Sequence, residues 1–248
     1  MSPDELLALF DRAAAAQLQA VGGIASADLR DRTDVPGQYA LDLVADAAVL
    51  AVLHPAGVAV VSEESGRTGP DDAPITVVLD PVDGSTNCSR GIPYWAISVC
   101  AFDADGPLCA LVSNQATGTR NTAVRGKGAW RDGRPLVPSG VERVEDSVVA
   151  VQGRPRRALP WKQFRALGSI ALELCDVAAG AFDASLAGGS WAGPWDYLGG
   201  MLVCLEAGAT AVDGQGRDLA VTDPDERRQV FAAATPALLA SVRVAMEP

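Results

Sequence analysis

Two short β-branched runs, Val58-Ala59-Val60-Val61 and Ile75-Thr76-Val77-Val78-Leu79, lead within two residues into acids: Glu63-Glu64 after the first, Asp80 and Asp83 after the second. Runs of this kind, bounded by turn residues, read as buried strands. Carboxylates at the end of a buried strand must be solvated, hydrogen-bonded or paired with a cation. The rest of the chain has to be arranged around that requirement.

Residues 4 to about 22 are rich in alanine and leucine and stop at Gly22-Gly23, which predicts a first helix. A second is expected over 42–53, with Leu43, Val49, Leu50, Val52 and Leu53 as its apolar side and His54-Pro55 as its end. Strands are expected at 94–102, 107–114 and 121–124, separated by Asp105-Gly106 and Gly118 in the manner of an antiparallel meander. Gly126-Lys127-Gly128 and Asp132-Gly133 mark two more turns. Beyond a Pro/Arg-rich connection at 153–160, helices alternate with short strands through Ser169–Ala179, Trp195–Ala207 and Val230–Ala234. The mixed order predicts stacked α and β layers instead of a regular βαβ alternation. At 248 residues, one domain over 1–248 is expected, with possible subdomains 1–152 and 153–248.

Charge narrows the function. There are 31 Asp and Glu against 20 Lys and Arg, a formal charge of -11, and one histidine, so neither a nucleic-acid polymer nor an anionic membrane surface is an expected partner. An acidic protein can still take an anionic ligand if bound cations invert the local sign. Five scattered cysteines, Cys88, Cys100, Cys109, Cys175 and Cys204, suit buried free thiols in a reducing compartment. The amino terminus lacks a basic start or long apolar block, and no stretch approaches the roughly 20 apolar residues of a spanning helix. A cytoplasmic location is therefore expected.

The segment Leu79-Asp80-Pro81-Val82-Asp83-Gly84-Ser85-Thr86-Asn87 is the most informative. Two carboxylates three residues apart in a tight turn can converge on hard cations. Gly84 lets backbone approach a ligand, and Ser85-Thr86-Asn87 can open a short helix whose free N–H groups face an anion. The bland alternative is that Asp-Pro and Asp-Gly are ordinary turn dipeptides, that Glu63-Glu64 is a solvated loop, and that Asp196 only caps a helix. Oxygen-only donors favour Mg²⁺ over Zn²⁺, and His54, beside Pro55, has no histidine or cysteine neighbour to complete a zinc site. Trp95, Trp130 and Trp195 sit in apolar segments and read as core instead of base-stacking platforms.

The order Glu-Glu-Ser-Gly (63–66), Asp-Pro-Val-Asp-Gly-Ser-Thr-Asn (80–87), Gly-Lys-Gly-Ala-Trp (126–130), Trp-Asp-Tyr-Leu-Gly-Gly (195–200) and Glu206-Ala207-Gly208-Ala209 resembles the inositol monophosphatase superfamily over nearly the whole chain. The resemblance implies an α+β fold, the layered αβαβα sandwich of the inositol monophosphatase and fructose-1,6-bisphosphatase type. It implies two or three Mg²⁺ ions ligated by Glu64, Asp80, Asp83 and Asp196 and by the main-chain carbonyl of Val82. A phosphate would lie on the backbone of Gly84, Ser85 and Thr86, close to Asp196, with Ser85 helping to activate water. The family's other water-activating aspartate aligns with Asp46, with Asp42 one helical turn earlier as the alternative, and the threonine expected before it is absent.

Implied activity is hydrolysis of a small polyol or sugar phosphate, inositol 1-phosphate first, with catalysis involving Glu64, Asp46, Ser85 and Asp83. Histidinol phosphate, fructose 1,6-bisphosphate and 3′-phosphoadenosine 5′-phosphate are alternatives, since no Asp or Glu lies between Asp183 and Asp196 to contact an inositol hydroxyl. A homodimer and lithium sensitivity are also implied. A catalytically silent metal-binding relative is the competing reading of another class, and a nucleotide-binding module is disfavoured by the lack of a Gly-rich phosphate loop.

Overall fold

The computed structural model describes residues 1–154 and 159–246. An eight-stranded sheet holds β1 (Ala59–Ser62), β2 (Gly66–Thr68), β3 (Thr76–Asp83), β4 (Ala96–Asp103), β5 (Gly106–Asn114), β6 (Thr119–Val124), β7 (Gly128–Arg131) and β8 (Arg134–Pro135), in the order β2-β1-β3-β4-β5-β6-β7-β8. A five-stranded sheet holds β9 (Val148–Gly153), β10 (Gln163–Arg165), β11 (Ala184–Gly188), β12 (Thr210–Asp213) and β13 (Val230–Ala233), in the order β10-β9-β11-β13-β12. The changeover between sheets falls between β8 and β9, ahead of the 153–160 connection, of which 155–158 lie outside the described residues.

Helices α1 (Pro3–Gly22) and α2 (Ala40–Leu53) cover the outer face of the large sheet, where Leu6, Phe10, Val49 and Leu53 pack against Val60, Val77, Leu79 and Ile97. Its inner face meets α4 (Ile170–Ala178) and α5 (Pro194–Ala207), which also meet the second sheet. On the far side of that sheet, α6 (Pro236–Met246) supplies Leu238, Leu239 and Val242. The order of layers is αβαβα, as expected. The meander from β3 to β8 is antiparallel throughout. All five cysteines are buried and unpaired, and no described helix is long and apolar enough to cross a membrane.

Three local devices aim the layers at one corner. Ser2 and Glu5 cap α1 reciprocally, Ser2 Oγ accepting from Glu5 N at 3.3 Å and Ser2 N donating to Glu5 Oε2 at 2.7 Å. On α5, Gly199 and Gly200 occur in mid-helix, where glycine costs about 0.5–1 kcal/mol against alanine. A Cβ on Gly199 would come within 2.7 Å of Ser98 Oγ, and one on Gly200 within 2.7 Å of Leu174 Cβ, so both glycines are needed for α5 to lie close on β4 and α4. Glu206, near the end of α5, accepts from the backbone N–H groups of Gly126 and Gly128 at 2.8 and 2.9 Å and ties the β6–β7 turn to the helix.

One expectation changes. The segment 80–83 is not a turn: β3 runs on through Asp83, with a register shift against β4 between Asp80 and Asp83. The bulge turns both carboxylates away from strict alternation while the backbone stays in the sheet. Val230–Ala233 is one of the short strands expected in the second half, paired with both β11 and β12.

Candidate active site

β1 and β3 are the one parallel neighbouring pair of the large sheet, and Ser62 pairs with Leu79. In parallel strands, residues that follow a matched pair leave the sheet side by side, so Glu63 emerges beside Asp80; the Glu63 N–H donates to Leu79 O at 3.1 Å. Asp196 arrives from the first turn of α5, where one oxygen, Oδ2, accepts from Gly193 N at 2.6 Å. Ligand oxygens of Glu63, Asp80 and Asp196 all lie within 4.8 Å of one another. Asp83 completes the corner, its Oδ2 held by Ser169 Oγ and Ala171 N, each at 2.7 Å, at the start of α4.

These four acids, Val82, the segment Gly84–Thr86 and Gly168 line a polar cavity of about 210 Å³. Gly84 has φ +94°, and a Cβ there would sit 3.1 Å from the carbonyls of both Gly168 and Tyr94. No other residue satisfies both that dihedral and that space. Helix α3 (Ser85–Arg90) begins immediately after it. Asn87 Nδ2 fastens this turn to the carbonyls of Tyr94 and Leu167, both at 2.7 Å.

Electrostatically the corner is unbalanced. Burial pushes the carboxyls of Glu63, Asp80, Asp83 and Asp196 upward, and mutual repulsion adds to it at Glu63, Asp80 and Asp196. No cationic side chain lines the cavity among the described residues. Acids are brought together at this expense where a divalent ion supplies the missing charge, and all the donors here are hard oxygens. The residues therefore fit Mg²⁺. His54 stands apart, its ring nitrogen Nε2 3.0 Å from Thr68 Oγ1.

Several expected site residues are displaced. Glu63, not Glu64, enters the acidic cluster, because its backbone is still paired to Leu79 at the end of β1; Glu64, in the turn that follows, accepts a hydrogen bond from Gln38 Nε2. Asp46 is buried one turn deeper on α2, where its carboxylate accepts from Ser62 Oγ. Asp42 takes the place beside Ser85, lining a neighbouring cleft of about 340 Å³ with Glu63, Glu64 and Ser85. Burial lifts its carboxyl to about 7. Its Oδ2 accepts from Tyr39 N at 2.9 Å, while Oδ1 is buried without a partner. Thr86 lines the cavity, and its hydroxyl is 3.2 Å from Tyr39 Oη. Asp80, Val82, Asp83, Gly84, Ser85 and Asp196 are all brought together.

Glycine 168 was not anticipated. Its position depends on Glu173, a buried acid of α4 whose Oε1 accepts from the N–H groups of Leu167 and Gly168 at 3.4 and 3.3 Å. A Gly-Ser pair ahead of an apolar helix was the available signal. A larger, mainly apolar cavity of about 470 Å³ at Met201, Leu202 and Leu219 contains none of the clustered acids.

The sequence profile of the inositol monophosphatase family matches residues 13–246. A fructose-1,6-bisphosphatase/inositol-1-monophosphatase of Archaeoglobus fulgidus is 35% identical over 224 residues, covering 85% of this chain and 87% of its own. A fructose-1,6-bisphosphatase of Pyrococcus furiosus is 30% identical over 213 residues, covering 84% and 82%. Among solved structures, a Pyrococcus horikoshii protein described as having similarities to inositol-1 monophosphatase superposes with a TM-score of 0.85 at 26% identity, over 99% of this chain and 98% of that one.

Proposed function

Because this chain belongs to the inositol monophosphatase family and is a phosphoric monoester hydrolase, we propose that it hydrolyses small polyol or sugar phosphates, inositol 1-phosphate among them, using two or three Mg²⁺ ions. The observation that carries this is the meeting of Glu63, Asp80 and Asp196 within 4.8 Å, beside Asp83 and the Gly84 turn. When bound, the cations supply the charge that acidifies a water molecule and neutralises the phosphoryl oxygens.

The chain's own groups do the positioning. Glu63, Asp80, Asp83 and Asp196 offer the ligand oxygens, with the Val82 carbonyl as a further donor. Backbone N–H groups of Gly84, Ser85 and Thr86 hold the phosphate in line. Asp42, with the Ser85 hydroxyl beside it, orients the attacking water and accepts its proton. Water attacks phosphorus as one of its protons passes to Asp42, the ester P–O bond breaks, and the departing alkoxide takes a proton from solvent, giving the free alcohol and inorganic phosphate.

The test is phosphate release from inositol 1-phosphate, histidinol phosphate, fructose 1,6-bisphosphate and 3′-phosphoadenosine 5′-phosphate, with Mg²⁺ and with a chelator. Mg²⁺-dependent release from a polyol or sugar phosphate is expected. Release from none of them would sink the proposal, and a silent metal-binding relative would be left.

A further inference from the structure

The apolar stripe of α5 runs on past the point where the core covers it. Leu198, Met201, Leu202 and Leu205 follow one another at helical spacing. The first three are buried, whereas Leu205, in the last turn, is 44% exposed. Beside it β12 forms the edge of the second sheet, paired on one side only, with β13. Helix, edge strand and the 216–220 segment enclose the cavity of about 470 Å³, with Met201, Leu202, Leu205, Val212 and Leu219 among its apolar walls. Small-molecule sites have volumes of about 300–1,000 Å³. Asp196 lies in the first turn of the same helix, at its other end.

Three arginines and three acids stand on the rim of this cavity. Arg125 is committed to Asp103, to which its Nη1 and Nη2 donate at 3.0 and 2.7 Å. Arg217 Nε donates to Asp213 at 2.8 Å. The Glu206 carboxylate is occupied by the N–H groups of Gly126 and Gly128, and Asp218 Oδ1 accepts from Ala220 N at 2.9 Å. Arg243, in the last turn of α6, is half-buried and has no ion pair among the described residues. An apolar interior thus carries one uncommitted positive charge at its mouth. Sugar phosphates do not suit such walls, since every hydroxyl buried there without a partner costs free energy. A run of methylenes with one anionic end does suit them: the tail gains from burial, and the guanidinium fork matches a carboxylate.

We propose that this cavity is a second binding site, taking a small amphipathic monocarboxylate whose apolar tail lies against α5 and β12 and whose carboxylate pairs with Arg243. It shares no lining residue with the acidic corner, and it stands independently of the substrate assigned there. A neutral alcohol of the same length would leave Arg243 unpaired, and an ammonium would be repelled by it. The order of affinity is therefore carboxylate, then alcohol, then ammonium.

The experiment is titration calorimetry with octanoate, 1-octanol and octylammonium on wild type, Arg243→Gln and Leu205→Asp, in chelator so that divalent cations do not bind the carboxylate. Wild type should bind octanoate saturably, one per chain, more tightly than octanol and far more tightly than octylammonium. Arg243→Gln should weaken octanoate by about 10-fold or more, as expected for loss of a charged hydrogen bond, and leave octanol unchanged. Leu205→Asp, at a position 44% exposed, should weaken both. Melting curves establish that the variants are folded; if Leu205→Asp were not, the contrast between octanoate and octanol in Arg243→Gln decides alone. No saturable octanoate binding, equal binding of octylammonium, or octanoate affinity unchanged in Arg243→Gln overturns the inference. Self-association of wild type that Leu205→Asp abolishes, without octanoate binding, would overturn it in favour of a second copy of this chain on the same face.

Discussion

The side-chain amide of Gln17 donates to the carbonyl of Pro81 at 2.9 Å, across 64 positions of sequence. Gln17 is fully buried in α1, and Pro81 separates the two acidic positions of β3. The first helix is thereby bonded to the bulge that presents Asp80 and Asp83. Replacing Gln17 with Leu keeps the volume but leaves a buried carbonyl unpaired, at a cost of about 1–3 kcal/mol. Urea unfolding should show this loss, and titration calorimetry should show weaker Mg²⁺ binding. Wild-type Mg²⁺ affinity in Gln17→Leu would mean that the bulge holds its shape unaided.

Asp42 and Asp46 can be told apart by their partners. Asp42→Asn removes the carboxylate beside Ser85 and should lower kcat by about 10²–10⁴-fold, the usual contribution of a positioned base. Asp46→Asn disturbs the bond to Ser62 and should act mainly on stability, with the smaller effect on turnover. Steady-state kinetics and melting curves on both variants decide; the reverse pattern would return the role to Asp46.

Removing a ligand should uncouple stability from metal. Wild-type protein should gain about 2.7 kcal/mol at a Mg²⁺ concentration 100 times its dissociation constant. Asp80→Asn keeps an oxygen for Val82 N, which Asp80 Oδ1 accepts at 2.9 Å, but loses the charge. Its melting temperature should barely distinguish Mg²⁺ from chelator. An undiminished Mg²⁺ response would remove Asp80 from the ligand set.

Glu173 predicts a pH dependence. Burial lifts its carboxyl from 4.5 to about 7 in the folded protein, and its Oε2 has no partner. A raised folded value means that the folded state holds the proton more tightly. The associated stability is complete below about 4.5 and is lost as pH rises toward 7. Relative to Glu173→Gln, wild type should therefore weaken by up to about 3 kcal/mol across that window. Parallel denaturation curves for the two proteins, at several pH values in chelator, would show it; a constant difference would mean that Glu173 is ionised throughout.

Much of the layered fold was legible because its signals are local. The α1 cap at Ser2 and Glu5, the apolar spacing of α2 and the glycine turns of the meander all lie within a few residues of what they determine. The acids of β3 were legible as well, since Asp80 and Asp83 share one short segment with Gly84. What escaped depends on facing directions and long-range packing. Glu63 and Glu64 are chemically alike, and only the parallel register of β1 on β3 selects which one meets Asp80. Asp42 and Asp46 share a helix face, so only the depth of α2 against Ser62 separates them. Gly168 reaches the site from a loop that local pattern does not tie to it. The strands β9 to β12 were missed because their pairing partners are distant in the chain.

The parallel union of β1 and β3 also sets a schedule for the nascent chain. By residue 83 a growing polypeptide has Glu63, Asp80 and Asp83, but Asp196 comes more than a hundred residues later, on a helix that needs both sheets to lie against. The corner formed by Glu63, Asp80 and Asp196 therefore comes into being only once the later helix has docked, and its geometry is a report of completed assembly.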